Sequence, residues 1–370
     1  MDSLYPLRFG EIFKEKIWGG RNLADLFNKR LPPGALIGES WEVSDREDDQ
    51  SVVAEGPLNG VTLHELVTRF GDRLVGNCTL AKGRFPLLFK ILDAHTTLSV
   101  QVHPTDELAL EYDEADPGKT EMWYVLAAEE GAKIMLGLQP GIGKEQFQQA
   151  IHTGAFERCL NYFDPKAGDA FFLPAGSVHA LGAGIVLVEI QENSDLTYRV
   201  YDWGRVGADG EPRELHLEKA MRATNFERPS VPPASGVKLT DGQNRRTVLT
   251  ACSYFATEVL EVSGAHTVKG TGNTFTILFF ERGNARLVWE GGELALSTGQ
   301  SVLVPAEVGA WSVEGKSRFL KFYVPDLVND IIKPLVNAGV SEQDIRLLGG
   351  DPDTADVASA LAGWKTQPDV

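Results

Sequence analysis

From Phe85 onward the chain is a series of short apolar runs cut off by glycine, proline and aspartate: Leu87–Leu92, Thr97–Val102, Glu121–Ala127, Lys133–Leu138, Ala170–Leu173, Ile185–Gln191 and Thr197–Trp203. Short runs rich in β-branched and aromatic side chains and bounded by turn formers are strand signals, and a series of them points to a sandwich or barrel. A mainly β chain follows. Helical signals are fewer. Thr62-Leu-His-Glu65 reads as a capping box opening a helix to about Phe70, and Lys144–Tyr162, with Phe147, Ile151 and Phe156 among polar residues, predicts an amphipathic helix between strands.

The Pro-rich joint Arg228-Pro-Ser-Val-Pro-Pro-Ala-Ser235 separates this block from a second strand-rich block, about Val248 to Tyr323. The second block echoes the first. Gly299-Gln-Ser-Val-Leu-Val-Pro305-Ala-Glu-Val-Gly-Ala310 aligns with Gly168-Asp-Ala-Phe-Phe-Leu-Pro174-Ala-Gly-Ser-Val-His179, which sets Ala310 against His179. Matching Gly131 with Gly283 sets Asn273 against Glu121 in the same way. The expected organisation is an N-terminal segment, 1–84, with helices packed on the first barrel; a metal-binding module, 85–228; a second, metal-free module, 236–325; and a helical tail, 326–370, around Leu327–Ala338 and Ser341–Leu347.

The first block carries four side chains with metal-binding atoms on strand-like segments. Gln101 and His103 stand in Leu98-Ser-Val-Gln-Val-His103-Pro104, Glu121 opens the run Met122–Leu126, and His179 follows the strand that ends at Pro174. Residues two apart on a strand face the same way, so Gln101 and His103 form a chelating pair. Glu121 and His179 bring two further strands to the same ion. Two neutral imidazoles, a carboxylate and an amide oxygen suit Zn²⁺, with cobalt, manganese or iron as substitutes by ligand softness. One complete and one degenerate ligand set predict one zinc per chain.

Charge and cysteine usage narrow the setting. A formal charge of −17 argues against nucleic acid or an anionic membrane as a partner, so an anionic substrate needs a local basic pocket. Cys78, Cys159 and Cys252 are odd in number and form no CxxC, which fits a reducing cytoplasm. The start, Met1-Asp-Ser-Leu-Tyr-Pro, lacks the pattern of a signal peptide, and no apolar stretch approaches the roughly 18 residues of a membrane span. The expectation is a cytoplasmic protein, monomeric or homodimeric. At 370 residues, 43% of them hydrophobic, the chain has enough apolar material for about two folded modules.

The segments Phe85-Pro-Leu-Leu-Phe-Lys90-Ile-Leu92, Leu98–Pro104, Gly118-Lys-Thr-Glu-Met-Trp123, Pro174-Ala-Gly-Ser-Val-His-Ala180 and Glu189-Ile-Gln-Glu-Asn-Ser-Asp-Leu-Thr-Tyr-Arg199-Val-Tyr-Asp-Trp203 together resemble the type I mannose-6-phosphate isomerases of the cupin superfamily. The resemblance runs from about Leu7 to Asp326 and is closest to the shorter bacterial branch. It implies two cupin-like β-barrel (jelly-roll) modules with a few accessory helices. It also implies zinc on Gln101, His103, Glu121 and His179, an active-site arginine at Arg199, and active-site lysines at Lys90 and Lys119. Longer members insert a helical domain where this chain has only Lys144–Tyr162, and the tail after Asp326 is longer than the short pattern requires.

Interconverting mannose 6-phosphate and fructose 6-phosphate moves one proton between C1 and C2 through an enediol while negative charge grows on two oxygens. A cationic metal stabilises that charge. Two residues are candidates for the proton transfer: Glu189, on the expectation that burial raises its pKa toward neutrality, and Lys119, beside the metal. Lys90 and Ser99 are expected to hold the phosphate, and Arg199 to bind or catalyse rather than pair with Asp195 or Asp202. Two other classes compete. A cupin oxygenase would hold iron, usually with a His-x-His pair where this chain has Gln101-Val-His103, and a non-catalytic sugar-phosphate sensor would keep the fold after losing a ligand or Arg199.

Overall fold

In the computed structural model, which describes residues 3–206, 210–228, 232–353 and 355–366, the runs of the first block become strands of two antiparallel sheets. The larger sheet has the order Ile12–Gly20, Ile37–Val43, Leu87–Ala94, Ile185–Glu192, Glu121–Ala128, Ala170–Leu173. The smaller has the order Tyr198–Tyr201, Val100–Val102, His179–Leu181, Ile134–Leu138, Leu160–Phe163. The apolar inner residues of both sheets, among them Leu92, Trp123, Leu187, Leu136 and Leu181, share one core, as in a jelly roll.

Alternation gives the larger sheet two occupied faces. Lys90, Leu92, Trp123, Val125, Leu187 and Glu189 point inward, while Phe89, Ile91, Met122, Tyr124, Val188 and Ile190 form the back. The back packs on the second module, against Ile277, Phe279, Leu320 and Phe322. The ring of Phe89 lies 6.0 Å from that of Phe279 and 5.1 Å from that of Phe322. Burying a phenylalanine contributes about 1.5–3 kcal/mol, so this seam joins the modules through a hydrophobic core.

The second module is a seven-stranded antiparallel sheet whose first strand begins at Val237, ahead of the strand-rich run read from about Val248, and includes the long strands Ala256–Val268, Thr276–Trp289 and Trp311–Tyr323. Leu260, Leu278, Phe280, Val302 and Phe319 fill its interior. Beyond it, Leu327–Ile332, Lys333–Asn337, Glu342–Leu347 and Asp356–Lys365 are helical, and Ile331, Leu335, Ile345 and Leu361 pack on Val248 and Ala256. Residues 229–231 of the Pro-rich joint lie outside the described residues.

Three expectations change. The N-terminal segment does carry the helix Leu63–Phe70, with Thr62 and Glu65 closing the capping box, but it also supplies two strands of the larger sheet. The helix expected over Lys144–Tyr162 ends at Thr153, because Gly154 turns left-handed at φ +73° and the chain continues as a short 3₁₀ turn and the strand Leu160–Phe163. The counterpart of Glu121 is Thr276, not Asn273. Leu173, before Pro174, pairs with Glu121, and Val304, before Pro305, pairs with Thr276. Among the described residues no helix is long and apolar enough to cross a membrane.

Candidate metal centre

Gln101 lies in the three-residue strand Val100–Val102, with His179 directly across one ladder and Arg199 across the other. Glu121 comes from the opposite sheet, as the first residue of its strand, beside Gln191. The centre therefore bridges the sandwich. Local backbone contacts lock the approach: the Gly176 N–H, at φ +87°, donates to the His103 carbonyl at 2.9 Å, and the Lys119 N–H donates to the Pro104 carbonyl at 3.0 Å. Gly118 permits that second contact, since a Cβ there would stand 2.5 Å from the Asp106 nitrogen.

One ligand atom each from His103, Glu121 and His179 falls within 4.8 Å of the others. His179 Nε2 stands 3.3 Å from Glu121 Oε1, and His103 Nε2 stands 3.5 Å from Glu121 Oε2. Each imidazole donates its Nδ1 proton to a carbonyl, His103 to Leu196 at 2.6 Å and His179 to Ser177 at 2.9 Å. Both Nε2 lone pairs are thereby aimed at the centre. The Gln101 amide lies 3.2 Å from His179 Nε2, and the opposite amide orientation presents its oxygen to the same point.

Three buried acceptors here, His103 Nε2 and both Glu121 oxygens, have no hydrogen-bond partner among the described residues, although Lys119 Nζ stands 3.1 Å from Glu121 as an ion pair. Convergent buried acceptors with one ammonium among them are costly alone and fit a divalent cation. Burial pushes His103 well below its ordinary pKa and His179 down to about 4, so both rings are neutral, as ligands must be. Burial, together with the neighbouring Glu189 charge, pushes the Glu121 carboxyl up to about 7.

Glu189 does not have the raised pKa expected of a base. Burial would raise it, but Lys90 at 2.8 Å and Lys119 at 3.8 Å outweigh burial and hold it down to about 2. The Trp123 indole N–H donates to its other oxygen at 2.8 Å. Lys90, expected at the phosphate, is buried with its ammonium 2.8 Å from Glu189 and with Trp41 and Glu39 beside it. Ser99 is buried just ahead of the Gln101 strand, and none of Lys90's contacts among the described residues includes it. Arg199 is partly buried; its Nη1 donates to the Glu214 carbonyl at 2.9 Å, and its Nε has no partner among the described residues. Asp202, the rival partner, is held by Arg205 and Arg213.

Sequence reasoning passed over Glu39, Trp41 and Trp123, which wall the Lys90–Glu189 pair. The signal for the first two is the parity of Glu39-x-Trp41 in a fully buried strand, readable only once that strand is known to lie beside Lys90, and for Trp123 its spacing of two from Glu121.

Fold and site define a two-module cupin with a candidate metal centre in its first module. Residues 7–128 match the family model for the phosphomannose isomerase type I catalytic domain, and residues 244–324 match that for the mannose-6-phosphate isomerase cupin domain. A mannose-6-phosphate isomerase of Bacillus subtilis, ManA, is 38% identical over 311 residues, 84% of this chain and 96% of the relative. One from Streptococcus mutans is 36% identical, over 84% of this chain and 95% of the relative. A crystal structure of the mannose 6-phosphate isomerase from Bacillus subtilis superposes with a TM-score of 0.80 at 32% identity, covering 86% of this chain and 99% of that one. The chain belongs to the type I phosphomannose isomerases.

Proposed function

We propose that this chain is a metal-dependent aldose–ketose isomerase that interconverts mannose 6-phosphate and fructose 6-phosphate through an enediol. The observation that carries the reading is the meeting of two neutral imidazoles and a carboxylate with the Gln101 amide and Lys119 at one point, with Arg199 on the strand next to Gln101, in a chain of this family. The donor set, N₂O₂, favours one Zn²⁺ held by Gln101, His103, Glu121 and His179. Bound there, the ion supplies Lewis acidity to the sugar oxygens.

The remaining roles belong to side chains. Lys119 lies between Glu121 and Glu189 and is our assignment for moving the proton, at the atoms next to the metal ligands. Glu189, held ionised, orients Lys90 and Lys119 rather than serving as base. Arg199, with its guanidinium only partly engaged, stabilises the charge that grows on the substrate. Ser99 is kept as a hydroxyl donor to the phosphate. A glutamine in the first chelating position and this basic set disfavour an iron oxygenase.

Three free cysteines suit a reducing cytoplasm, and the working assembly is a monomer or homodimer. We divide the chain at the Pro-rich joint into a catalytic module, to which the N-terminal strands belong, and a second, metal-free module with its helical tail. The direct test is incubation of the metal-loaded protein with mannose 6-phosphate while fructose 6-phosphate is followed. A chelator-treated sample should lose turnover; a redox product, or no product from loaded protein, overturns the assignment.

A further inference from the structure

The second module repeats the first in register and inverts its charges. In the first, Glu121 pairs with Leu173, Trp123 two residues on pairs with Glu189, and Glu189 pairs with Lys90. In the second, Thr276 pairs with Val304, Leu278 with Lys321, and Lys321 with Glu258. One strand further, Glu39 stands opposite Leu92 and Arg246 opposite Leu260. The inner row Glu39, Lys90, Glu189 is thus answered by Arg246, Glu258, Lys321, and the metal-ligand position by a neutral hydroxyl.

These residues border a cavity of about 130 Å³ lined by Arg246, Lys269, Thr276, Lys321, Tyr323 and Asp330, among others. The first module gathers acceptors for a cation at this position; here donors outnumber the one carboxylate, Asp330, in the wall. Glu258 is fully spoken for: Arg246 donates to both its oxygens at 2.7 Å, and the Tyr323 hydroxyl donates to Oε1 at 2.6 Å. Lys321 Nζ stands 3.6 Å from Glu258 as a long ion pair and 4.2 Å from the centre of the Tyr323 ring, so the carboxylate accepts from Arg246 and Tyr323 first. Arg246, Lys269, Lys321 and Asp330 line the cavity and Glu258 lies behind Arg246 and Lys321, so three positive groups stand against two negative ones. Burial holds the Lys321 ammonium below its ordinary pKa even with Glu258 nearby, the mark of a charge that its partner does not fully compensate.

We propose that this cavity is a second ligand site and binds a small oxyanion of the phosphate class, held by the Lys321 ammonium and the Thr276 hydroxyl with Lys269 at the exposed rim. The volume suits inorganic phosphate or the phosphoryl end of a sugar phosphate. The site is separate from the metal centre, since it lies inside the other module, beyond the shared seam.

The test is calorimetric titration of the metal-loaded full chain with inorganic phosphate. Wild-type protein should bind one phosphate per chain more than Lys321→Met, with kcat and KM for the sugar phosphate unchanged between them. Lys269→Ser, an exposed change that spares the core, should weaken that same phosphate by about threefold or more, and it keeps the proposal testable where Lys321→Met does not fold. Competition with fructose 6-phosphate separates the two sources: displacement of the second phosphate assigns the site to the sugar phosphate, and no displacement assigns it to the inorganic ion. Equal phosphate stoichiometry and affinity in wild type and both variants overturn the proposal.

Discussion

Arg199 lies directly across the ladder from Gln101, on the flank opposite His179, with its guanidinium released from Asp202 by Arg205 and Arg213. A cation placed so, and engaged among the described residues by the Glu214 carbonyl through one nitrogen, is available to substrate oxygens.

Arg199→Ala should therefore keep its metal and its melting temperature while kcat falls about 10²-fold or more, the loss typical of one electrostatic donor. Kinetics alongside thermal melting and metal content decide it. A variant that unfolds or sheds metal with kcat per folded molecule unchanged makes Arg199 a structural residue.

His103→Ala and His179→Ala should each lose metal and activity together, because three remaining ligands hold an ion far less tightly and the backbone carbonyl that oriented the ring gains nothing in return. Elemental analysis should find about one zinc per wild-type chain. About two metals, or full activity with none, counts against a single centre.

Metal affinity should depend on pH through Glu121. Its carboxyl in the metal-free fold is raised to about 7, above the ordinary 4.5, so a proton occupies the ligand position below that pH. A carboxyl raised in this way contributes stability that is full below about pH 4.5 and lost as pH climbs through about 7. The metal takes the opposite side: its affinity should rise by up to about tenfold per pH unit between about pH 5 and 7 and then level off. The gap in melting temperature between loaded and chelator-treated protein should widen over the same interval. A gap that stays flat or narrows removes Glu121 from the ligand set.

Lys90→Met distinguishes an ion-pair role from phosphate binding. Removing Lys90 leaves Glu189 buried with Lys119 at 3.8 Å as its nearest cation, and breaking a buried pair costs about 3–5 kcal/mol. A large drop in unfolding free energy is expected. Intact stability with a raised KM would assign Lys90 to the phosphate.

Much of the catalytic module was legible because strand parity is a local property: Gln101 and His103 share a face by spacing alone, and the runs over 87–92, 121–127 and 185–191 needed only one or two residues of adjustment. The strand Ile37–Val43 was not legible. Its Gly-Glu-Ser-Trp-Glu core reads as surface, yet every residue is buried, because Lys29 pairs with Glu42 at 2.7 Å and the Trp41 indole donates to Glu39 at 2.7 Å. A polar strand satisfied by partners distant in sequence leaves no apolar alternation to find. The Thr276 counterpart of Glu121 was missed for a related reason. Glycine spacing measures chain length, whereas the ladder is counted back from the strands that end at Pro174 and Pro305.

The seam between the modules divides the second one's obligations by parity. Ile277, Phe279, Leu320 and Phe322 brace the sheet that carries Glu121, Lys90 and Glu189, while Thr276, Leu278, Lys321 and Tyr323, their immediate neighbours in the chain, face the other way. The same strands are thus answerable to catalysis at every second residue and free of it at the rest. A duplicated half can exchange its entire interior chemistry, acid for base and ligand for hydroxyl, without loosening the catalytic half that leans on its exterior.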